Sequence, residues 1–105
     1  SVKKSVLASA EKTGEKIWEM PLSDEYREQN KSSVADIKNI GGKSAGMITA
    51  AAFLEFFLKP ETKWLHLDIA GTAYSTEERI WIDKGATGFA VALLADLAGA
   101  KQPSY

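Results

Sequence analysis

Residues 45 to 58 read AGMITAAAFLEFFL, with Glu55 as the only charge in the run. Ser44 stands in front of it as a good N-cap, so a helix is expected here. Apolar groups fall on nearly every side of that helix, and it must therefore be covered over most of its circumference. A bilayer is not the cover, because the run is too short to span one and contains a glutamate. The covering surface has to be protein.

The flanks of the run suggest which protein surface that is. Ala35, Ile37 and Asn39 alternate with Asp36 and Lys38, the pattern of a strand leading into the loop NIGGKS. After the break at Lys59-Pro60-Glu61-Thr62, Trp64 to Ile69 form a second apolar strand that stops before Gly71. Strand, helix and strand with a crossover of this length make a βαβ unit, with the two strands parallel and the connection right-handed. The expected class is α/β, with a partial parallel or mixed sheet. Parallel sheets are covered on both faces and extended by further strands, and the chain supplies only two or three. It reads as part of a larger sheet.

The remaining segments flank this unit. Val2, Val6, Leu7 and Ala10 share one face of a first helix that Thr13-Gly14 ends, and Ile17 to Leu22 is a short apolar stretch closed by Met20-Pro21. Ser23 can cap a polar helix that places Asp24 and Glu25 at its positive end and is anchored by Tyr26. Residues 72 to 86 read as a polar loop. Thr87 is the expected cap of a last helix with Phe89, Leu93, Leu94 and Leu97 as its apolar stripe and Gly99 as its stop, and KQPSY as a tail.

Composition narrows the function classes. With 105 residues, 45% of them hydrophobic, one globular unit is expected. Lys and Arg number 13 against 14 Asp and Glu, so there is no basic surplus for a nucleic-acid backbone or an anionic lipid surface. Neither nucleic acid nor membrane is an expected partner. Cysteine is absent, which removes disulfides, thiolate nucleophiles and thiolate zinc sites. No export signal is visible, and the cytoplasm is the expected compartment.

Three features invite a chemical reading. NIGGKSAG has glycines and a lysine between strand and helix, where a phosphate-binding loop would sit, but the position that should hold the first glycine of that pattern is Ile37. A tight turn and helix cap is the plainer reading. His66 and Asp68, two apart on a strand, point to one face about 7 Å from each other, too far for a direct hydrogen bond. With no second His and no Cys to join them, they read as buried polar groups satisfied by neighbouring backbone, not as metal ligands. The glycine turns at Gly71 and at GATG, residues 85 to 88, lie where α/β proteins place binding loops, although turn geometry alone would explain them. Trp18, Trp64 and Trp81 read as core and rim packing.

Taken together and in order, GEKIWEMPLSDEY, SSVADIKNIGGKSAGMITAAAFLEFF, WLHLDIAGTAY and KGATGFAVALLADL resemble the end of the catalytic domain of the leucine (cytosol) aminopeptidase family. The resemblance covers nearly the whole chain, and residues 1 to 13 resemble a helix leading into it. It implies a C-terminal fragment of a larger three-layer catalytic domain, from a hexameric, two-metal exopeptidase that removes N-terminal residues from peptides. Two divalent ions, Mn or Zn, polarise the scissile carbonyl and acidify a shared water in such a site. The family's metal-binding carboxylates and lysine, its second catalytic lysine and its anion-binding arginine belong to earlier segments, notably an NTDAEGR signature, and this sequence does not contain it. No catalytic residue and no metal ligand is therefore expected here, and the fragment alone is expected to be inactive. Carried over by position, Ala70 and Ala73 line the pocket for the substrate's N-terminal side chain, and Ile40 borders the next substrate residue. Small side chains suit a pocket that must leave volume for an apolar group. The rival is a standalone noncatalytic binding or assembly domain on the same scaffold. A longer gene with NTDAEGR upstream separates the two.

Overall fold

The computed structural model describes residues 1–78, 80 and 82–99. Trp81 and the KQPSY tail lie outside the described residues. The chain divides into two compact units, one formed by Ser1–Ile17 with the residues from Leu67 onward, the other by Trp18–His66. Each is described by itself.

In the first unit, helix α1 (Val2–Thr13) packs on helix α4 (Val91–Leu97). Val6 and Ala10, one turn apart, are buried as their spacing predicts, and Leu93 and Ala90 are buried with them. Ser9 joins this core, whereas Leu7, placed on the apolar face by its spacing, remains 40% exposed. Gly14 ends α1 in the left-handed region at φ 75°, where a side chain would be strained. The cap of α4 differs from expectation. The helix starts at Val91, its N-cap is Ala90 at φ 72°, and Thr87 lies too far upstream to cap it. The free amides are met by Glu15, whose carboxylate accepts from Ala90 N–H at 2.8 Å and from Leu93 N–H at 3.0 Å. A carboxylate at the positive end of a helix is favourably placed. Lys12 also donates to Asp96, so two side-chain links join α1 and the turn after it to α4.

The same unit holds a small sheet, β1 (Tyr74–Ser75) and β2 (Gly85–Ala86), antiparallel with Tyr74 opposite Ala86 and Ser75 opposite Gly85. Residues 72 to 86, expected as loop, thus hold the only sheet among the described residues. Their polarity hid it, because pairs this short need no apolar face.

In the second unit, helix α2 (Asp24–Gln29) packs on helix α3 (Gly46–Glu55). Ser23 is the N-cap and Asp24 and Glu25 occupy the first turn, as expected. The Ser23 hydroxyl, however, donates to Glu25 Oε2 instead of receiving a helix amide. Arg27 lies across both helices, its Nε 2.7 Å from Glu55 Oε2 and its Nη2 3.1 Å from Glu55 Oε1. That paired geometry, with a further bond to Asp24, raises the Arg27 pKa. Asn30 is the buried centre. It is 1% exposed, and its amide donates to Thr49 O at 2.7 Å while its backbone carbonyl accepts Lys38 N–H at 2.7 Å.

The βαβ unit is not formed by this chain. Residues 35–39 are bends and irregular backbone, residues 64–69 carry no strand pairing, and the sheet that does exist is antiparallel. Alternating hydrophobicity marks a segment able to pair, but pairing needs a neighbour, and none of the described residues lies in register with it. The class stands as mixed α and β with a two-stranded antiparallel sheet. The cap of α3 is also displaced, from Ser44 to Ala45 at φ 57°. Only Ile48, Thr49 and Ala52 of α3 are buried. Met47, Leu54, Phe56 and Phe57 are 46 to 64% exposed, so the cover that so apolar a helix calls for is not supplied by its own unit. Trp18, expected to pack, is 88% exposed and Trp64 is half-buried.

Candidate functional site

The turn after residue 67 carries two of the three residues singled out by position. Asp68 Oδ1 accepts the Ala70 N–H at 3.0 Å, and Ile69 O accepts Thr72 N–H at 2.9 Å and Ala73 N–H at 2.8 Å. These bonds curl the backbone so that Ala70 and Ala73 stand on one tight turn, Ala70 exposed and Ala73 half-buried. The residue after β2 secures it. Thr87 N–H donates to Ala73 O at 2.9 Å, and the Thr87 hydroxyl donates to Thr72 O at 2.6 Å. The same hydroxyl oxygen accepts the Phe89 N–H at 3.2 Å. Gly88, at φ 69°, lets the chain reverse between Thr87 and α4.

Asp68 has a plain structural role. His66 is half-buried, and Asp68 is exposed, not buried as its strand position suggested, because the chain has already turned and its carboxylate is spent on the Ala70 amide. Among the described residues, no three of His, Asp and Glu come together to hold an ion. The donors present do not fit a dinuclear metal centre, and no chemical step is assigned to a metal on these residues.

Ile40 belongs to the other unit. It is 74% exposed and lies on an open groove of about 560 Å³, beside Ile37, Asn39, Phe53 and Phe57. Phe53 and Phe57 meet edge to face with centroids 5.2 Å apart. Gly41 fixes the loop that carries Ile40, since a Cβ there would come within 2.7 Å of Asn30 Oδ1 and 3.0 Å of Thr49 Cβ. The loop backbone can approach the buried Asn30 only because residue 41 has no side chain.

Sequence reasoning placed Ala70, Ala73 and Ile40 on loops and missed two kinds of residue around them. Thr87 is expected as the cap of the last helix, whereas it serves the glycine turn at 85 to 88 that precedes the actual cap, Ala90. Phe53 and Phe57 belong to the run expected to be covered over most of its circumference. Their i, i+4 spacing puts both on one face, and that face borders the groove.

Comparison with known proteins gives these loops a context. The sequence model for the catalytic domain of the cytosol aminopeptidase family matches residues 1–95. The chain belongs to the cytosol aminopeptidase family, a family of peptide hydrolases. A probable cytosol aminopeptidase of Solibacter usitatus is 53% identical over 93 residues, 89% of this chain and 19% of that protein. One from Desulfotalea psychrophila is 58% identical over 77 residues, covering 73% of this chain and 15% of that protein. Among solved structures, a tomato leucine aminopeptidase mutant aligns with a TM-score of 0.81 at 42% identity, over 91% of this chain and 18% of its own. The bottromycin maturation enzyme BotP in complex with Mn aligns with a TM-score of 0.85 at 36% identity, over 94% of this chain and 22% of its own. The chain thus spans about a fifth of the length of these relatives.

Proposed function

We propose that residues 1–105 are the C-terminal part of a leucine aminopeptidase-like catalytic domain of three layers, and that they supply walls of the substrate pocket while other parts of the protein supply the metal ligands. The enzyme so formed hydrolyses N-terminal residues from peptides with two divalent ions, Mn or Zn, as a cytoplasmic hexamer. A neighbouring structure that holds Mn supports the metal dependence, and relatives named cytosol aminopeptidases support the compartment. The isolated 105 residues are inactive.

The turn at 68–73 is the observation that carries this reading. The amides of Ala70, Thr72 and Ala73 and the carbonyls of Ile69, Thr72 and Ala73 are bonded within the protein, so the two alanines present their methyl groups beside backbone that is already paired. A wall of that kind accepts an apolar substrate side chain without stranding polar groups of its own. Ala70 and Ala73 form the wall for the first residue, and Ile40, exposed on its groove, borders the second.

Replacing Ala73 by leucine in the full-length enzyme tests this. Hydrolysis of substrates with large N-terminal residues is expected to fall by about tenfold or more relative to alanyl substrates, because a pocket filled by added methylenes discriminates at that level. Equal losses across a panel of aminoacyl amides would remove Ala73 from the pocket.

A further inference from the structure

An alanine contributes a single methyl to a pocket wall, so where that wall stands is set by backbone and not by rotamer choice. The backbone at Ala70 to Ala73 is fixed on its inner side by local bonds to Asp68 and Ile69, which shape the turn but do not locate it. Its location comes from the segment opposite, through the pairing of Tyr74 with Ala86 and through Thr87. Thr87 takes both carbonyls at the end of the turn, Thr72 O through its hydroxyl at 2.6 Å and Ala73 O through its amide at 2.9 Å. The hydroxyl oxygen then accepts from Phe89 N–H, which ties the turn to the backbone reversal before α4. The wall is thereby held against the segment carrying Ala90 and Leu93, both buried in the core of that unit.

We propose that Thr87 is a specificity-positioning residue: its hydroxyl sets the position of the Ala70–Ala73 wall and so the size of N-terminal side chain the enzyme takes. This rests on the reading of that turn as the pocket wall. A pocket that measures methylenes must hold its walls to about half an ångström. Without the hydroxyl, Thr72 O and Phe89 N–H lose their shared partner, while the amide bond to Ala73 O persists. The turn is then loosened and not lost. Selectivity moves more than turnover.

The experiment compares full-length Thr87→Val, Thr87→Ser and Ala73→Leu enzymes by the ratio of kcat/KM for leucyl and alanyl p-nitroanilides. A ratio is unaffected by the fraction of enzyme that is folded, so a purely structural role of Thr87 would leave it unchanged. Thr87→Val is expected to change it about tenfold, chiefly through KM, and Thr87→Ser, which keeps the hydroxyl, to restore it to near the parent value. An unchanged ratio in Thr87→Val beside a changed one in Ala73→Leu would overturn the positioning role and leave the pocket standing. Unchanged ratios in both would overturn the pocket reading and this role with it. If Thr87→Val yields no folded enzyme, Thr87→Ala serves in its place, and a parent-like ratio there counts against the proposal in the same way.

Discussion

The two units are centred on opposite kinds of group. Around Leu93, the first unit buries Val6, Ala10 and Ala90, and its polar links, Glu15 to the α4 amides and Lys12 to Asp96, sit around that core. The second unit has Asn30 at its centre, and of that side chain one atom is bonded while Oδ1 has no partner and lies against Gly41. One centre is held by apolar volume and tolerates polar change at its edge. The other is held by close approach, where an added atom has nowhere to go. The loops carried by the two units inherit this difference, since the Ala70–Ala73 turn is located by hydrogen bonds and the Ile40 loop by steric fit.

The largest expected effect tests the apolar centre. Leu93→Ala leaves a cavity at a fully buried position and should cost about 3 kcal/mol. Amide exchange in α1 and α4 should quicken while α2 and α3 keep their protection. Uniform quickening would erase the distinction between the units. Next, Gly41→Ala drives a methyl against Asn30 and Thr49 and should cost about 2 kcal/mol, read as faster exchange confined to α2 and α3. Parent-like protection would mean that the Asn30 centre is not sterically closed. Glu15→Ala removes the acceptor of two α4 amides and should cost about 1 kcal/mol, with fraying at the start of α4.

The smallest effect is a pH dependence. Hydrogen bonds from Lys12 and then Ser9 hold the Asp96 carboxyl below its ordinary pKa. A carboxyl whose folded pKa is lowered contributes stability above its unfolded pKa and loses it as pH falls through the folded value. The difference in melting temperature between the parent and Lys12→Met should therefore be present near neutrality and vanish in acid. A difference that persists in acid would assign the effect of Lys12 to packing.

Much of this was legible in the residues. The i, i+4 pair Val6 and Ala10, the acidic first turn of α2 and the glycine stops at Gly14 and Gly99 follow from rules that operate within one turn of helix. The family resemblance located Ala70, Ala73 and Ile40 on loops. Pairing was less legible, because residues 64–69 have the hydrophobicity of a buried strand whatever lies beside them, whereas Tyr74–Ser75 and Gly85–Ala86 pair without any apolar signal. Long-range caps were the least legible. Glu15 caps a helix that starts at Val91, and no local pattern connects the two. Thr87 was misassigned for the same reason: its partners, Thr72 and Ala73, are remote in the chain.

The Glu15 link also bears on the order of events at the ribosome. Its carboxylate meets amides 75 and 78 residues downstream, so α1 is synthesised well before the helix that shelters its apolar side exists. At typical elongation speeds that interval lasts several seconds, roughly 4 to 15. During it Val6 and Ala10 are without α4, the helix that α1 packs on. Slow codons between residues 15 and 90 would lengthen that interval.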